Sequence, residues 1–218
     1  MINDNYIIVL DFETGSKDAF DPIPLEVAAV VVDPRTLKRV PGATFECLIK
    51  PFYGWDRVEA KALEINKIDP KEVDAKGLDE SVFFDLFAKF FKEFSKGGKW
   101  KSPLVAGFNS DCFDRIILNR LCHRHKYLDK DGDPKMFHPR DSFDLMKMCL
   151  GWFENEAEPE KMSLSEIKKF FGYPEGIEHR AMGDVEPTAD ILCRLIQFQR
   201  NVMKKNKPRF KGAFSREV

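Results

Sequence analysis

A chain of 218 residues, 43% of them hydrophobic, is long enough to bury one full core and too apolar for a disordered polymer. Its 35 basic residues nearly balance 36 acidic ones, so the net charge of −1 carries no global signature of a nucleic-acid binder. No apolar run could span a bilayer, the amino terminus lacks a basic-then-apolar signal pattern, and five cysteines without paired spacing suggest reduced thiols. A cytoplasmic location without membrane contact is the expectation.

The first element is an apolar run, Tyr6-Ile7-Ile8-Val9-Leu10, read as a buried strand and followed by Asp11-Phe12-Glu13-Thr14-Gly15. Two more strands are predicted over 26–32 and 44–50, with a turn at Asp33-Pro34-Arg35-Thr36. A short helix is expected over 59–67, ending before Asp69-Pro70. Over 80–95, Val82, Phe83, Leu86, Phe87, Phe90, Phe91 and Phe94 form a helical stripe that Gly97-Gly98 ends. A strand over 104–108, a helix over 113–126 and a helix from Ser142 follow. Ser163 to Phe171 reads as a short helix and Asp184 to Met203 as a long last one. Pro187 is expected in its first turn, where a missing N–H costs little. Residues 1–203 are read as one α/β domain with a mixed sheet, and the basic stretch 204–218 as a mobile tail.

The chemistry lies in five side chains. Residues two apart on a strand share a face, so Asp11 and Glu13 project together from its carboxyl end. Two such anions repel unless a divalent cation sits between them. Asp114 stands near the start of its helix, after Gly107-Phe108-Asn109-Ser110-Asp111-Cys112-Phe113. Asp184 opens the last helix, with His179 five residues earlier. Five residues turn a helix about 140° past one full circle, so His179 is read as lying on a loop before the helix.

Taken alone, each acid has an ordinary reading as a solvated strand end or a first-turn residue favoured by the helix dipole. Asp141 and Asp144 are read as capping or structural acids. Asp129-Lys130-Asp131-Gly132-Asp133 is a turn and not a calcium loop, because its glycine is misplaced and the twelfth position is Arg140.

In combination these segments resemble the DEDDh-type 3′–5′ exonucleases, the proofreading-exonuclease superfamily. The Asp11-x-Glu13-Thr14-Gly15 start, the Asn109-x-x-x-Phe113-Asp114 middle and the His179-x-x-x-x-Asp184 end appear in the family's order. The resemblance covers roughly residues 6 to 200. Leu63 to Val73, Asp141 to Met146 and Met162 to Ile191 look most like the bacterial exonuclease I branch, which digests single-stranded DNA. A sister branch has Tyr four residues before the last Asp, where this chain has Arg180, so the histidine type fits.

The resemblance implies a ribonuclease-H-like fold, a central mixed sheet flanked by helices. It implies hydrolysis of DNA from the 3′ end into nucleoside 5′-monophosphates. Two divalent cations, Mg²⁺ or Mn²⁺, would be held by Asp11, Glu13, Asp114 and Asp184, with His179 as general base. Phe12, Thr14 and Gly15 would border the terminal nucleotide, and Asn109 would lie near the substrate sugar or the metal shell, with an ordinary turn residue as the competing reading. Leu63 and Ile68 would wedge against the last bases, with core packing as the competing reading. Single-stranded DNA is the expected partner and RNA the alternative, and a DNA polymerase is a candidate partner of a proofreading subunit. A non-catalytic nucleic-acid-binding or polymerase-tethering module of the same fold is the rival class.

Overall fold

The computed structural model describes residues 4–174 and 180–213. Five strands form one mixed sheet in the order β3-β2-β1-β4-β5: β1 (Ile7–Thr14), β2 (Pro24–Asp33), β3 (Lys38–Leu48), β4 (Leu104–Gly107) and β5 (Ser142–Asp144). β1, β2 and β3 pair antiparallel, whereas β4 runs parallel to β1 and β5 parallel to β4. Seven α-helices accompany them among the described residues. These are α1 (Ala60–Asn66), α2 (Pro70–Lys76), α3 (Glu80–Glu93), α4 (Asp114–Arg124), α5 (Leu145–Phe153), α6 (Leu164–Phe170) and α7 (Ala181–Ala213). This is the mixed sheet flanked by helices that the sequence predicts.

The central strand sorts its side chains between two cores by parity. Ile8, Leu10 and Phe12 join Phe83, Phe87 and Phe91 of α3 and Ile117, Leu118 and Leu121 of α4. Ile7 and Val9 join Leu145 of α5, Ile167 of α6 and Val185, Ala189 and Leu192 of α7. The sheet is therefore covered on both faces, which explains why β2 reads as a continuous apolar run interrupted only by Glu26.

Several boundaries differ from the sequence reading. β1 continues through the two carboxylates to Thr14, because β2 offers ladder partners that far. β3 spans Lys38–Leu48 and not 44–50: Leu37 turns left-handed at φ 53, its N–H bonds the Asp33 carbonyl at 2.8 Å, and the chain re-enters the sheet early. The sequence reading passed over α2, which is only seven residues long; Asp69 caps it by accepting from the Lys71 N–H at 2.9 Å.

At Ser142 the chain forms a strand, not a helix, because β4 supplies parallel ladder partners as far as Asp144. Asp144 then accepts from the Met146 and Lys147 N–H groups and starts α5. In α3 the buried face is Phe83, Phe84, Phe87, Phe90 and Phe91, while Val82 and Leu86 lie 47% and 45% exposed. The helix runs one face deep into the core, and those two residues fall beside it, toward solvent.

α7 begins at Ala181 and runs through the expected end at Met203 to Ala213, so the boundary drawn at 203 falls inside a helix. Lysine is a good helix former, and Lys204-Lys205 extend the element. The early start also moves Pro187 from the first turn into the second.

The packing makes a direct stability test. Phe87→Ala should cost about 3–5 kcal/mol in denaturant unfolding, because it empties the centre of the aromatic cluster. Leu86→Ala, one residue away and half exposed, should change stability by no more than about 0.5 kcal/mol. Similar losses in both would place the buried face of α3 wrongly.

Candidate metal and nucleic-acid site

Asp11 and Glu13 share the parity of Ile7 and Val9, so they emerge on the α7 face of the sheet, just past the apolar core. α7 starts there and presents Asp184 in its first turn. One carboxylate oxygen from each of Asp11, Glu13 and Asp184 lies within 4.8 Å of the others. The sequence reading joined these three acids across some 170 residues, and the structure brings them together.

The cluster is strongly anionic and poorly solvated. Burial, then the charge of Asp184, pushes the Asp11 carboxyl up to about 7. Burial, then the charge of Asp11, pushes Glu13 up to about 8. Such a group must gain protons or cations to be stable. Its donors are all carboxylate oxygens, hard ligands that fit Mg²⁺ or Mn²⁺.

Asp114 reaches the same strand from the other side. It opens α4, is only 2% exposed, and its Oδ1 accepts the Phe12 N–H at 2.9 Å. Burial and the charge of Asp11 raise its carboxyl well above the ordinary range, with the Phe12 hydrogen bond opposing. Asp114 is thus not one of the three mutually close acids; it ties α4 to β1 immediately behind Asp11.

Three residues that the sequence reading did not select complete the electrostatics. Glu26 lies directly opposite Glu13 in the β1–β2 register, so the two carboxylates share a face. It is 1% exposed and is held by Arg180 at 3.1 Å, leaving Oε2 without a hydrogen-bond partner. An acid inside the apolar run of β2 was the available signal. Lys168 of α6 donates to Asp184 Oδ1 at 2.9 Å and approaches the Gly183 carbonyl at 3.5 Å. That carbonyl would ordinarily accept from residue 187, but Pro187 has no N–H to give. No sequence pattern marks Lys168.

The remaining expected site residues divide by role. Phe12 buries its ring against Phe87 and leaves its backbone beside the acids. Thr14 donates its hydroxyl to the Ser16 carbonyl at 2.6 Å and is steadied from behind by Asn66, whose amide donates to the Thr14 carbonyl at 2.9 Å. Both border a depression reached by Glu13, Ala62, Ile65 and Phe113.

Gly15 does not line that depression. Val58 and Ile23 methyls lie 3.1 and 3.3 Å from where its Cβ would be, so glycine there allows close packing. Leu63 and Ile68 also turn inward, to a small core with Ile23, Leu25 and Val73. The exposed side of α1 therefore presents Ile65, not Leu63, because a seven-residue helix has room for only one buried face. Asn109 sits in a turn at φ 57 and its N–H donates to Asp144 Oδ1 at 3.1 Å. Asp144 also caps α5, so it is a structural acid as expected. The Asp129–Asp133 turn closes around the Lys99 ammonium. His179 lies outside the described residues.

A family model described as exonuclease, RNase_T, matches residues 8–192. No curated protein matches the chain. Among solved structures, an exonuclease I structure is similar over 91% of this chain, at 22% identity and a TM-score of 0.72. E. coli exonuclease I in complex with a dT13 oligonucleotide is similar over 98% of this chain, at 20% identity and a TM-score of 0.70. The zinc-bound E. coli exonuclease I–ssDNA complex is similar over 94%, at 22% identity and a TM-score of 0.72. The matched regions take up 44%, 44% and 42% of those chains, so this chain spans less than half their length. At such identities the likeness establishes the fold.

The charge cluster has a pH signature. Unfolded, Asp11 and Glu13 would titrate near pH 4; folded, they do so near 7 and 8. Between about pH 4 and 8 the folded state holds more protons, so the metal-free protein should lose stability as pH rises. Thermal unfolding in chelator should give a lower Tm at pH 8 than at pH 5, and Asp11→Asn should flatten that slope. Mg²⁺ or Mn²⁺ should raise Tm most at pH 8. A wild-type Tm in chelator that climbs from pH 5 to 8, with Asp11→Asn behaving alike, would contradict the clustering.

Proposed function

We propose that this chain, which belongs to the exonuclease family, is a metal-dependent 3′–5′ exonuclease that releases nucleoside 5′-monophosphates from single-stranded DNA. The observation that carries the reading is the convergence of Asp11, Glu13 and Asp184 within 4.8 Å on one face of the sheet. A binding module would have no use for three repelling, half-buried carboxylates. The exonuclease I structures that share the fold include oligonucleotide complexes, which supports a single-stranded substrate here.

Asp11, Glu13 and Asp184, with Asp114 from behind, would hold two divalent cations. When bound, such ions offset phosphate charge and stabilise the attacking and leaving oxygens of an in-line displacement. The chain's own groups do the rest. The depression beside Phe12 and Thr14 receives the terminal nucleotide, with Ile65 and Phe113 as its apolar walls. Lys168 holds Asp184 in place. His179, five residues before Asp184, takes the proton from the attacking water; an imidazole with an ordinary pKa near 6.5 suits that task.

Oligonucleotides labelled at the 5′ end should shorten stepwise with Mg²⁺ or Mn²⁺ and remain intact in chelator. Single- and double-stranded DNA and RNA arms identify the preferred substrate. Asp11→Asn, Glu13→Gln and Asp184→Asn should each lose most turnover while staying folded. His179→Ala should lower kcat by about 10²–10⁴ while metal affinity stays nearly intact. Release of a labelled 5′ mononucleotide at the outset, or cleavage of a circular strand, would overturn the exonuclease reading. Near-wild-type kcat in His179→Ala would remove the histidine from water activation.

A further inference from the structure

Helix α4 carries one face outward from the site. Phe113, just before it, and Ile116, Arg120 and Arg124 follow at steps of three, four and four residues, which places them along one side of the helix. Phe113 borders the depression beside Glu13 and Thr14. Ile116 and Arg120 line a second concavity together with Phe20. From Phe113 to Arg124 the rise is about 16 Å.

At the far end three aromatic rings stand in solvent: Phe20 is 63% exposed, Phe52 53% and Tyr53 42%. Each is faced by a guanidinium. Arg120 lies 5.2 Å from the Phe20 centroid, Arg124 lies 5.1 Å from Phe52 and 5.3 Å from Tyr53, and Arg57 lies 4.4 Å from Tyr53. Asp21 fixes the arrangement, accepting from Arg57 at 2.7 Å and lying 3.5 Å from Arg124. Phe52 and Tyr53 meet edge to face at 4.9 Å, which holds both rings upright.

We propose that this strip is a stacking lane for the single strand upstream of its 3′ end, an inference that rests on the exonuclease reading. Every base has a π-face, so exposed rings hold successive bases without regard to sequence; the exposed Arg120 meets a phosphate, while Arg57 and Arg124, held by Asp21 and Glu80, back the rings. A protein partner would favour an apolar patch with a polar rim; here cations alternate with rings. The strip is also continuous with the depression that takes the terminal nucleotide. In a chain of net charge −1, phosphate attraction has to be local.

The test compares a 15-nucleotide DNA strand with a dinucleotide, which reaches only the depression. Tyr53→Ala and Phe20→Ala should each raise KM for the 15-mer about 5-fold or more, with kcat and dinucleotide KM unchanged. Phe20→Leu, which keeps apolar bulk but not the π-face, should behave as Phe20→Ala. Arg120→Ala should lower the slope of log affinity against log salt by about 0.7, one phosphate's share. Anisotropy of a labelled 15-mer in chelator reads binding without hydrolysis, and thermal unfolding confirms that each variant is folded. Unchanged 15-mer binding in the variants overturns the lane and hands the strip to a protein partner. Equal losses on both substrates place these residues in the terminal-nucleotide site. A wild-type protein that binds the 15-mer through these residues but hydrolyses nothing sinks the exonuclease reading and leaves the lane standing.

Discussion

Two carboxylates on one face of a buried strand set the terms for everything around them. Asp11 and Glu13 take the parity that, four and two residues before Asp11, sends Ile7 and Val9 into the core. Their desolvation cannot be relieved by turning outward, because β2 pairs with β1 through both residues. Glu26 across the ladder and Asp184 from α7 add to the charge, and Arg180 and Lys168 offset only part of it. The fold thus tolerates a local excess of negative charge that bound cations or protons must complete. Such strain is characteristic of a site and not of a scaffold.

Lys168 and Pro187 form a small device within that setting. A proline in the second turn of a helix removes one N–H and frees the carbonyl four residues back. In α7 that carbonyl belongs to Gly183, and the Lys168 ammonium lies between it and the neighbouring Asp184 carboxylate. The freed carbonyl has the ammonium 3.5 Å away in place of an N–H, and the same ammonium orients Asp184 through a charge-assisted bond at 2.9 Å. A residue tolerated for its position in the first turn becomes, in the second, part of how the acid is held.

The mixed sheet flanked by helices and the three clustered acids were legible through strand parity and the order of the motifs, whereas the fifth strand was not. Asp11 and Glu13 declare themselves by following an apolar run, and Asp184 by opening a helix. What the sequence concealed depends on contacts between distant elements. Glu26 matters because it lies opposite Glu13, a register that β2 alone does not reveal. Lys168 is one of two adjacent lysines, and only packing of α6 on α7 separates their roles. Leu63 was ambiguous for a related reason: α1 has two candidate apolar faces, and the small core that Ile68, just past the helix, shares with Ile23, Leu25 and Val73 decides which one turns inward.

Helix α4 links these levels. Its first residue bonds the backbone of Phe12 between the two carboxylates, so the amino end is fixed to the site. Its last turn is fixed as firmly: Arg124 bonds the buried Glu80 of α3 at 2.6 Å, His125 lies 3.0 Å from the same carboxylate, and the His125 ring stacks on Phe84 at 4.4 Å. A helix held at both ends behaves as a strut. The exposed rings lie on the loops that follow β1 and β3, and Arg120 and Arg124 of this strut face them, so the helix ties the rings to the acid cluster. On the proposed reading, a strand engaged at one end would be presented to the other in a constant register. The Glu80–Arg124 pair holds the guanidinium that faces Phe52 and Tyr53, so in the proposed lane it would position the rings as well as stabilise the core.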